Sequence, residues 1–502
     1  MESKVVEIVT MNNSRNRKPA SFDKESFDMR VIILIFLTLA AAAATAPAAM
    51  FQLPILPAVH ISGSDAGPEA APQPVNPQLP VIPDHKFLLT DYGAVGDGKT
   101  LNTAAFRKAI EACNQAGGGS VVVTSGTFVT GPFQLVSNMA LVLETGATIL
   151  APANFSDWSS PVSGNQAAGS DEINAAAPPL ISGAGLTNIV IQGEGTIDGN
   201  GSVWWDRFRQ ERAAGAPAEG APLEGGAKPA TPRPFLVRLT NCRYVRIEGV
   251  TLKDSPKFHL VPHLCQDVLI EDVKVIAPSD APNTDAIDPS SCRNVLIRGC
   301  TTSVGDDDIC FKSTKDAPPL QDVLVTDCTF KNGHGVSIGS NLGSGLRNIT
   351  VQKCSFEGTT NGIRIKSSRG RGALVENVTY RDITMKNVGT ATTINMFYFD
   401  KDAMKAHETK PVTPTTPIVR GIRIINLNCQ GAKSAGDITG LPEMPISDVL
   451  LQNVTIDSVK GLTIRDAKGV ELRDVEVTIE KKGDPIKFTD ADVKTTHSDA
   501  AK

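Results

Sequence analysis

Three consecutive carboxylates, Asp306, Asp307 and Asp308, stand in the stretch SVGDDDICFKS, between a glycine and an apolar run. Mutual repulsion and desolvation both oppose keeping such neighbours ionised, so the arrangement asks for a use. Inverting glycoside hydrolysis is one. It needs a carboxylic acid that holds a proton for the leaving oxygen and a carboxylate that activates water on the opposite face of the sugar. Crowding raises the pKa of one acid while another stays ionised, so a single residue type can fill both roles. Taken alone, the triplet also reads as an Asp-rich turn or as a calcium site of hard oxygen ligands.

Other ionisable residues recur at regular steps. Asp285 in NTDAID comes about one short coil before Asp307, His334 in GHGVSIGS one coil after it, Arg364 and Lys366 in RIK one further on, and Tyr398 in NMFYF one more. If the chain winds with that period, these side chains form a stripe on one outer face. Arg364 and Lys366 are two apart, so in a strand they project to the same side, away from Ile363 and Ile365. With Lys312, Arg369 and Arg371 they make a candidate cationic patch, although Arg369 and Arg371 also read as ordinary solvated charge. A local patch is needed for any anionic substrate. The formal net charge of -5 supplies no basic field and argues against nucleic acid as a partner.

The elements that would position these residues are legible as a repeat. From Tyr244 onward one phrase returns as YVRIEGVTL, DVLIEDVKV, NVLIRGCTT, DVLVTDCTF, NITVQKCSF, NVTYRDITM, GIRIINLNC and DVLLQNVTI. Its first aliphatics, Val245, Val268, Val295, Val323, Ile349 and Val378, are spaced by roughly 23 to 29 residues, the range of a solenoid. Within each phrase apolar residues alternate and then skip, which predicts a strand, a bend and a second short strand per coil, stacked in parallel sheets. The position after the skip is Val250, Val273, Cys300, Cys328, Cys354, Ile383, Leu427 and Val454. Those cysteines therefore read as small buried hydrophobes in an interior column. The total of nine is odd, and no CxxC pair supports zinc. Asn or Asp precedes many repeats (Asp267, Asn294, Asp322, Asn348, Asn377, Asp448), placed to bond the turn backbone. Upstream, Phe106, Ala109, Ile110 and Cys113 share one helical face after Asn102 and before a glycine run, which predicts an amphipathic helix capping the solenoid's open end. Residues 209–234 are Ala-, Gly-, Pro- and Glu-rich and read as a surface insertion.

The expected organisation is a polar extension over 1–28, a signal peptide over 29–49, a Pro-rich linker over 50–86, a solenoid catalytic domain over 87–483 and a charged tail over 484–502. The apolar run after Arg30 ends in small residues, as a cleaved export signal does, with a signal anchor as the alternative. Secretion to an extracellular or periplasmic space is the expected location.

The motifs DYGAVGDGKTLNTAAF, GEGTIDGNGSVWW, DSPKFHLVP, PNTDAID, GDDD, GHGVSIGS and RIK, in that order from Asp91 toward Tyr398, resemble those of the polygalacturonases of glycoside hydrolase family 28. The resemblance implies an all-β, single-stranded right-handed parallel β-helix. It implies Asp306 as general acid, Asp285 and Asp307 as the residues that position and deprotonate water, and His334 as support for the acid's proton transfer. Arg364 and Lys366 would hold a galacturonate carboxylate, Tyr398 would pack near them, and Asn283 would shape the site around Asp285. Two positions depart from the family pattern: Ala286 replaces a glycine, adding a methyl that must fit, and Asp308 replaces a cysteine. The charge of Asp308 would raise the acid's pKa, so Asp308→Cys would lower the acidic limb of the pH–rate profile. Strand alternation would send Asp306 and Asp307 to opposite faces, so a bend at Gly305 is required if both serve. The expected activity is hydrolysis of α-1,4-galacturonosyl linkages in pectin or polygalacturonate with inversion, by a monomer needing no metal or other cofactor and no membrane partner. A pectate lyase-like enzyme and a non-catalytic carbohydrate-binding β-helix are the alternatives.

Overall fold

A computed structural model describes residues 74–158, 177–215, 231–480 and 482–496, all within the unit Ala70–Lys502. The expected polar extension, export signal and first part of the linker lie outside the described residues, as do residues 159–176 and 216–230. No described helix is long and apolar enough to cross a membrane.

The chain winds as a right-handed parallel β-helix, the hand that parallel crossovers adopt. The repeated phrases stack in register: Val245 pairs with Val268, then Val295, Val323, Ile349, Val378, Ile422, Val449, Val470 and Val493. These aliphatics face inward because only alternate positions of a pleated strand can. After the bend a second run of short strands carries Leu252, Val275, Thr302, Phe330 and Phe356 in line. Thr302 is the polar exception in that buried column. A third run completes each coil: Phe133–Gln134, Ile181–Ala184, Val237–Thr240, Leu260–His263, Ile309–Ser313, Val336–Leu342, Asn361–Lys366, Thr390–Asn395 and Ser434–Thr439. The repeated phrases did not predict this run as a whole, although the strand expected at RIK belongs to it, because its residues vary from coil to coil.

Cys300, Cys328 and Cys354 are buried in the interior column, and all nine cysteines are free thiols. The residues expected to bond the turn backbone do something different. Asp267, Asn294, Asp322, Asn348, Asn377 and Asp448 all take φ between 54° and 58°, the left-handed conformation that Asn and Asp tolerate best. Several of their side chains bond one another up the stack, as in Asn348 Nδ2 to Asp322 Oδ1 (2.9 Å) and Asn377 Nδ2 to Asn348 Oδ1 (2.8 Å), while Asp448 takes Arg423 instead.

Several expected boundaries move. Residues 76–81, assigned to the linker, lie along this polar ladder: Asn76 N bonds Asn294 Oδ1 (3.1 Å), Gln78 N bonds Asp267 Oδ1 (3.3 Å) and Val81 N bonds Asn188 Oδ1 (3.3 Å). Lys86–Leu88 then pairs with Gly119–Val123. At the other end, the expected charged tail contains the strand Ile486–Thr496, which adds a rung to Leu462–Ile479. The capping helix α1 (Thr103–Gln115) forms as expected, with Phe106, Ala109, Ile110 and Cys113 buried and Phe106 stacked on Phe133. Asn102 precedes it but turns its side chain back to Val95 N (2.7 Å) and Thr100 O (2.7 Å). The expected surface insertion over 209–234 is corrected at both ends: helix α2 (Ser202–Ala213), which buries Trp204 and Trp205, runs into it, and Arg233 inside it is 1% exposed. A short helix α3 (Lys401–Ala406) follows the strand Thr390–Asn395.

Asn348 tests the ladder, since it combines a left-handed backbone with bonds in both directions. Asn348→Gly keeps the backbone and loses the bonds, whereas Asn348→Ala loses both. Chemical denaturation should show a loss of about 1 kcal/mol for Gly and about 2 kcal/mol for Ala.

Candidate active site

The site lies where the third run begins. Ile287, Ile309 and Val336 are successive register partners, and Asp285, Asp307 and His334 each stand two residues before one of them. The coil period thus brings the predicted stripe together. Alternation breaks between the strands Thr301–Ser303 and Ile309–Ser313, and the break separates the three aspartates. Gly305 permits it through close approach: a Cβ there would collide with Ala281 O and Pro278 O, and its N–H bonds Thr284 Oγ1 (3.0 Å). Asp306 remains partly exposed, Asp307 is buried beside it, and Asp308 turns into the core.

Asp306 Oδ1 accepts from Asp307 N (3.0 Å) and lies 2.9 Å from His334 Nδ1, while Asn283 Nδ2 approaches Oδ2 at 3.4 Å. The backbone N–H of His334 bonds Asp306 O (2.8 Å), which fixes the histidine turn on the acid. Asn283 is held in turn by Arg233, whose Nη2 donates to its Oδ1 (2.7 Å).

Asp307 sits at the centre. Its Oδ1 accepts from Arg364 Nη2 and from Ser337 Oγ (2.7 Å), and its Oδ2 accepts from Lys366 Nζ (2.9 Å). Arg364 Nε also bonds Ser337 Oγ (2.8 Å). Burial opposes its charge, but Arg364 and Lys366 overcome that and hold the carboxyl well below the usual range. Both cations project to one side of their strand, as the sequence predicted. In this structure, however, they engage an acid of the protein.

Asp285 and Asp288 share Lys312, whose Nζ lies 3.1 Å from Asp285 Oδ2 and 2.5 Å from Asp288 Oδ2. Burial pushes both acids up, Asp288 to about 6 and Asp285 well above its ordinary value. Asp285 Oδ1 makes no hydrogen bond in the structure. The neighbouring Ala286 methyl fits without strain, because it belongs to the apolar core while Ala286 N bonds Asp307 O (2.8 Å).

Asp308 is wholly buried, with Oδ1 accepting from Thr302 Oγ1 (2.6 Å) and Oδ2 from Gly335 N (2.8 Å). Burial pushes its carboxyl up to about 8. At acidic pH it is therefore neutral, contrary to the expectation of a third charge acting on the acid. Gly333 makes room for it, since a Cβ there would strike Asp308 Oδ2.

The expected cationic patch is only partly assembled. Lys312 is buried between acids, and Arg369 forks onto Glu443 at 2.6 Å and 2.9 Å. Tyr398 is 38% exposed, with Lys366 Nζ 5.4 Å from its ring centroid. Sequence reasoning missed Arg233, Asp288, Thr302, Lys312 as partner of Asp285, and Ser337. Ser337 was within reach of the periodicity, because it is the register partner of Arg364. The oxygens of Asp306 and Asp307 with a ring nitrogen of His334 lie within 4.8 Å of one another, as do ligand atoms of Asp285, Asp307 and Cys310. Arg364, Lys366 and Lys312 already occupy the inner faces of these carboxylates, and a divalent ion would have to displace them.

The model of the family Glycosyl hydrolases family 28 matches residues 140–471. A "Probable polygalacturonase" of Vitis vinifera is 30% identical over 387 residues, covering 74% of this chain and 74% of that protein. An endo-polygalacturonase of Pectobacterium carotovorum subsp. carotovorum is 29% identical, covering 72% of this chain and 87% of its own length. Among solved structures, a hyperthermoactive exopolygalacturonase from Thermotoga maritima superposes with a TM-score of 0.65 at 26% identity, over 80% of this chain and 93% of that one. The chain thus belongs to the glycosyl hydrolases of family 28.

Proposed function

We propose that this glycoside hydrolase cleaves α-1,4-galacturonosyl linkages in polygalacturonate, with inversion at the anomeric carbon. The observation that carries the reading is the convergence of Asp285, Asp306 and Asp307 with the Arg364–Lys366 pair at the start of the third run of strands. Asp306 is the acid that protonates the leaving oxygen: it is the most accessible of the three, and His334 and Asn283 hold its two oxygens in place. Asp307, locked in its ionised form, stabilises positive charge developing on the sugar and orients water. Asp285 takes the proton from that water: its Oδ1 is uncommitted, and Lys312, 3.1 Å from its Oδ2, supports the ionised form that a base requires. Arg364 and Lys366 hold the substrate carboxylate with donor capacity beyond Asp307, and Tyr398 packs beside it. No step calls for a metal or another cofactor. With both oxygens of Asp307 already bonded, direct attack on carbon by this residue is disfavoured against attack by water.

The same reading extends to the setting. The apolar run before position 50 acts as an export signal, and the enzyme works outside the cytoplasm as a monomer on pectin of the cell wall. N-terminal sequencing of protein from culture medium, with light scattering for its mass, checks both points.

Three measurements bear on the chemistry. Wild-type protein should release reducing ends from polygalacturonate unchanged by chelator, with Asp306→Asn slower by about a thousandfold; unsaturated products or a calcium requirement would defeat the proposal. Proton NMR of the first product should show the inverted anomer, and the retained anomer would reassign Asp307 as nucleophile.

Asp308 gives a prediction whose sign follows from its neutral state. Its carboxyl titrates at 3.8 when unfolded and at about 8 when folded, so across that window unfolding releases a proton and stability falls as pH rises. Asp308→Asn keeps an acceptor for Gly335 N–H and a donor for Thr302 without this titration. Its melting temperature relative to wild type should climb steadily from pH 4 to pH 8. The acidic limb of the pH–rate profile should stay in place in Asp308→Asn and in Asp308→Cys alike.

A further inference from the structure

Of the five cations of the expected patch, four face carboxylates: Lys312 on Asp285 and Asp288, Arg364 and Lys366 on Asp307, and Arg369 on Glu443. Arg371 differs. Among the described residues its guanidinium has no acidic partner, reaching only Ser340 Oγ and Asn341 Oδ1 at 3.3 Å each, and its Cζ lies 4.3 Å from the centroid of Phe399. Phe399 is 56% exposed, an unusual state for a phenylalanine, and it meets Tyr398 edge-on with ring centroids 4.7 Å apart. Tyr398 in turn lies against Lys366. An unbroken path of cation and ring therefore runs outward from Asp307 through Lys366, Tyr398 and Phe399 to Arg371.

We infer that Arg371 and Phe399 form a further uronate-binding subsite, which takes the carboxylate and ring face of a galacturonate unit beyond the one that packs on Tyr398. Galacturonan carries a carboxylate on every sugar, so a chain lying along this path brings an anion to each successive step. A guanidinium stacked on an aromatic ring is oriented in advance, and its planar edge matches the two oxygens of a carboxylate. An exposed ring beside it offers an apolar face to the C–H surface of a sugar. The two bonds to Ser340 and Asn341 are long, so exchanging them for a charged acceptor is favourable.

The inference rests on the galacturonan reading, and binding measurements separate the two. Asp306→Asn protein should be titrated calorimetrically with galacturonate oligomers of increasing length, with and without Arg371→Ala or Phe399→Ala. Beyond a threshold length, affinity in the parent should step up, and Arg371→Ala should remove about tenfold of that gain. Added salt should shrink the difference, and Arg371→Lys should recover part of it. Equal affinities with and without the substitution at every length, or a loss already complete with the shortest oligomer, would overturn the subsite. Length-dependent binding lost in Arg371→Ala, alongside wild-type protein that releases no reducing ends, would sustain the subsite and sink the hydrolytic reading instead.

Discussion

The ionised carboxylate of Asp307, 1% exposed and inside an apolar coil, is the constraint on which the rest of the site depends. A lone carboxylate at that depth would take up a proton. It remains charged because Arg364 and Lys366, 57 and 59 residues further along the chain, reach its two oxygens, and Ser337 adds a third donor. No local segment could bring those donors in. They arrive because each coil lays its third strand on the one before, so residues from successive windings share one small volume. The fold and the charge are therefore coupled in both directions: stacking delivers the cations, and the ion cluster ties three coils at one level. Removing one partner of such a cluster strands a buried charge, and the loss exceeds what the contact itself contributes.

The three adjacent aspartates are compatible because the chain puts each in a different environment. Asp306 stays at the surface under His334 and Asn283, Asp307 is ionised by cations, and Asp308 is neutralised by burial. Repulsion along the backbone is relieved by changing direction at each step and by neutralising Asp308. The irregular backbone at Gly305 is the means, and Thr302 is the matching adjustment in the coil wall. In an inward column otherwise built from Leu252, Val275, Phe330 and Phe356, a hydroxyl appears at the one level where an inward carboxyl needs a partner.

Much of this was legible in the sequence. The first aliphatics of the repeat, from Val245 to Val378, are register partners in the structure, because period-two burial and a fixed coil length leave a strong imprint on residue type. The grouping of Asp285, Asp307, His334, Arg364 and Lys366 followed from the same period. What escaped is the part that depends on side-chain direction. Nothing in the letters of SVGDDD says that Asp308 turns inward. Nothing in RIK says that both cations will be drawn to an internal acid, and Arg233 sits beyond a compositionally biased segment that disguises its burial beneath Asn283. The turn residues show a subtler gap: Asn and Asp were expected from turn chemistry, but their bonding along the stack is visible only once the coils are laid on each other.

The polar ladder and the reactive groove also differ in tolerance, and the difference follows from desolvation. In the ladder an Asn amide donates to the Asn or Asp of the preceding coil, partly in water, so losing one rung costs a single weak bond. At the reactive site, Asp285, Asp288, Asp307 and Asp308 are all nearly inaccessible, and the charge state of each is set by burial together with its neighbours. A change at one position there shifts the proton affinity of the next. Regular coils can therefore vary freely as long as the inward aliphatics and left-handed turns persist, whereas the few levels between Asp285 and Lys366 must be preserved as a set. The solenoid supplies a rigid and repetitive frame, and the chemistry is confined to the levels where its own pattern is broken.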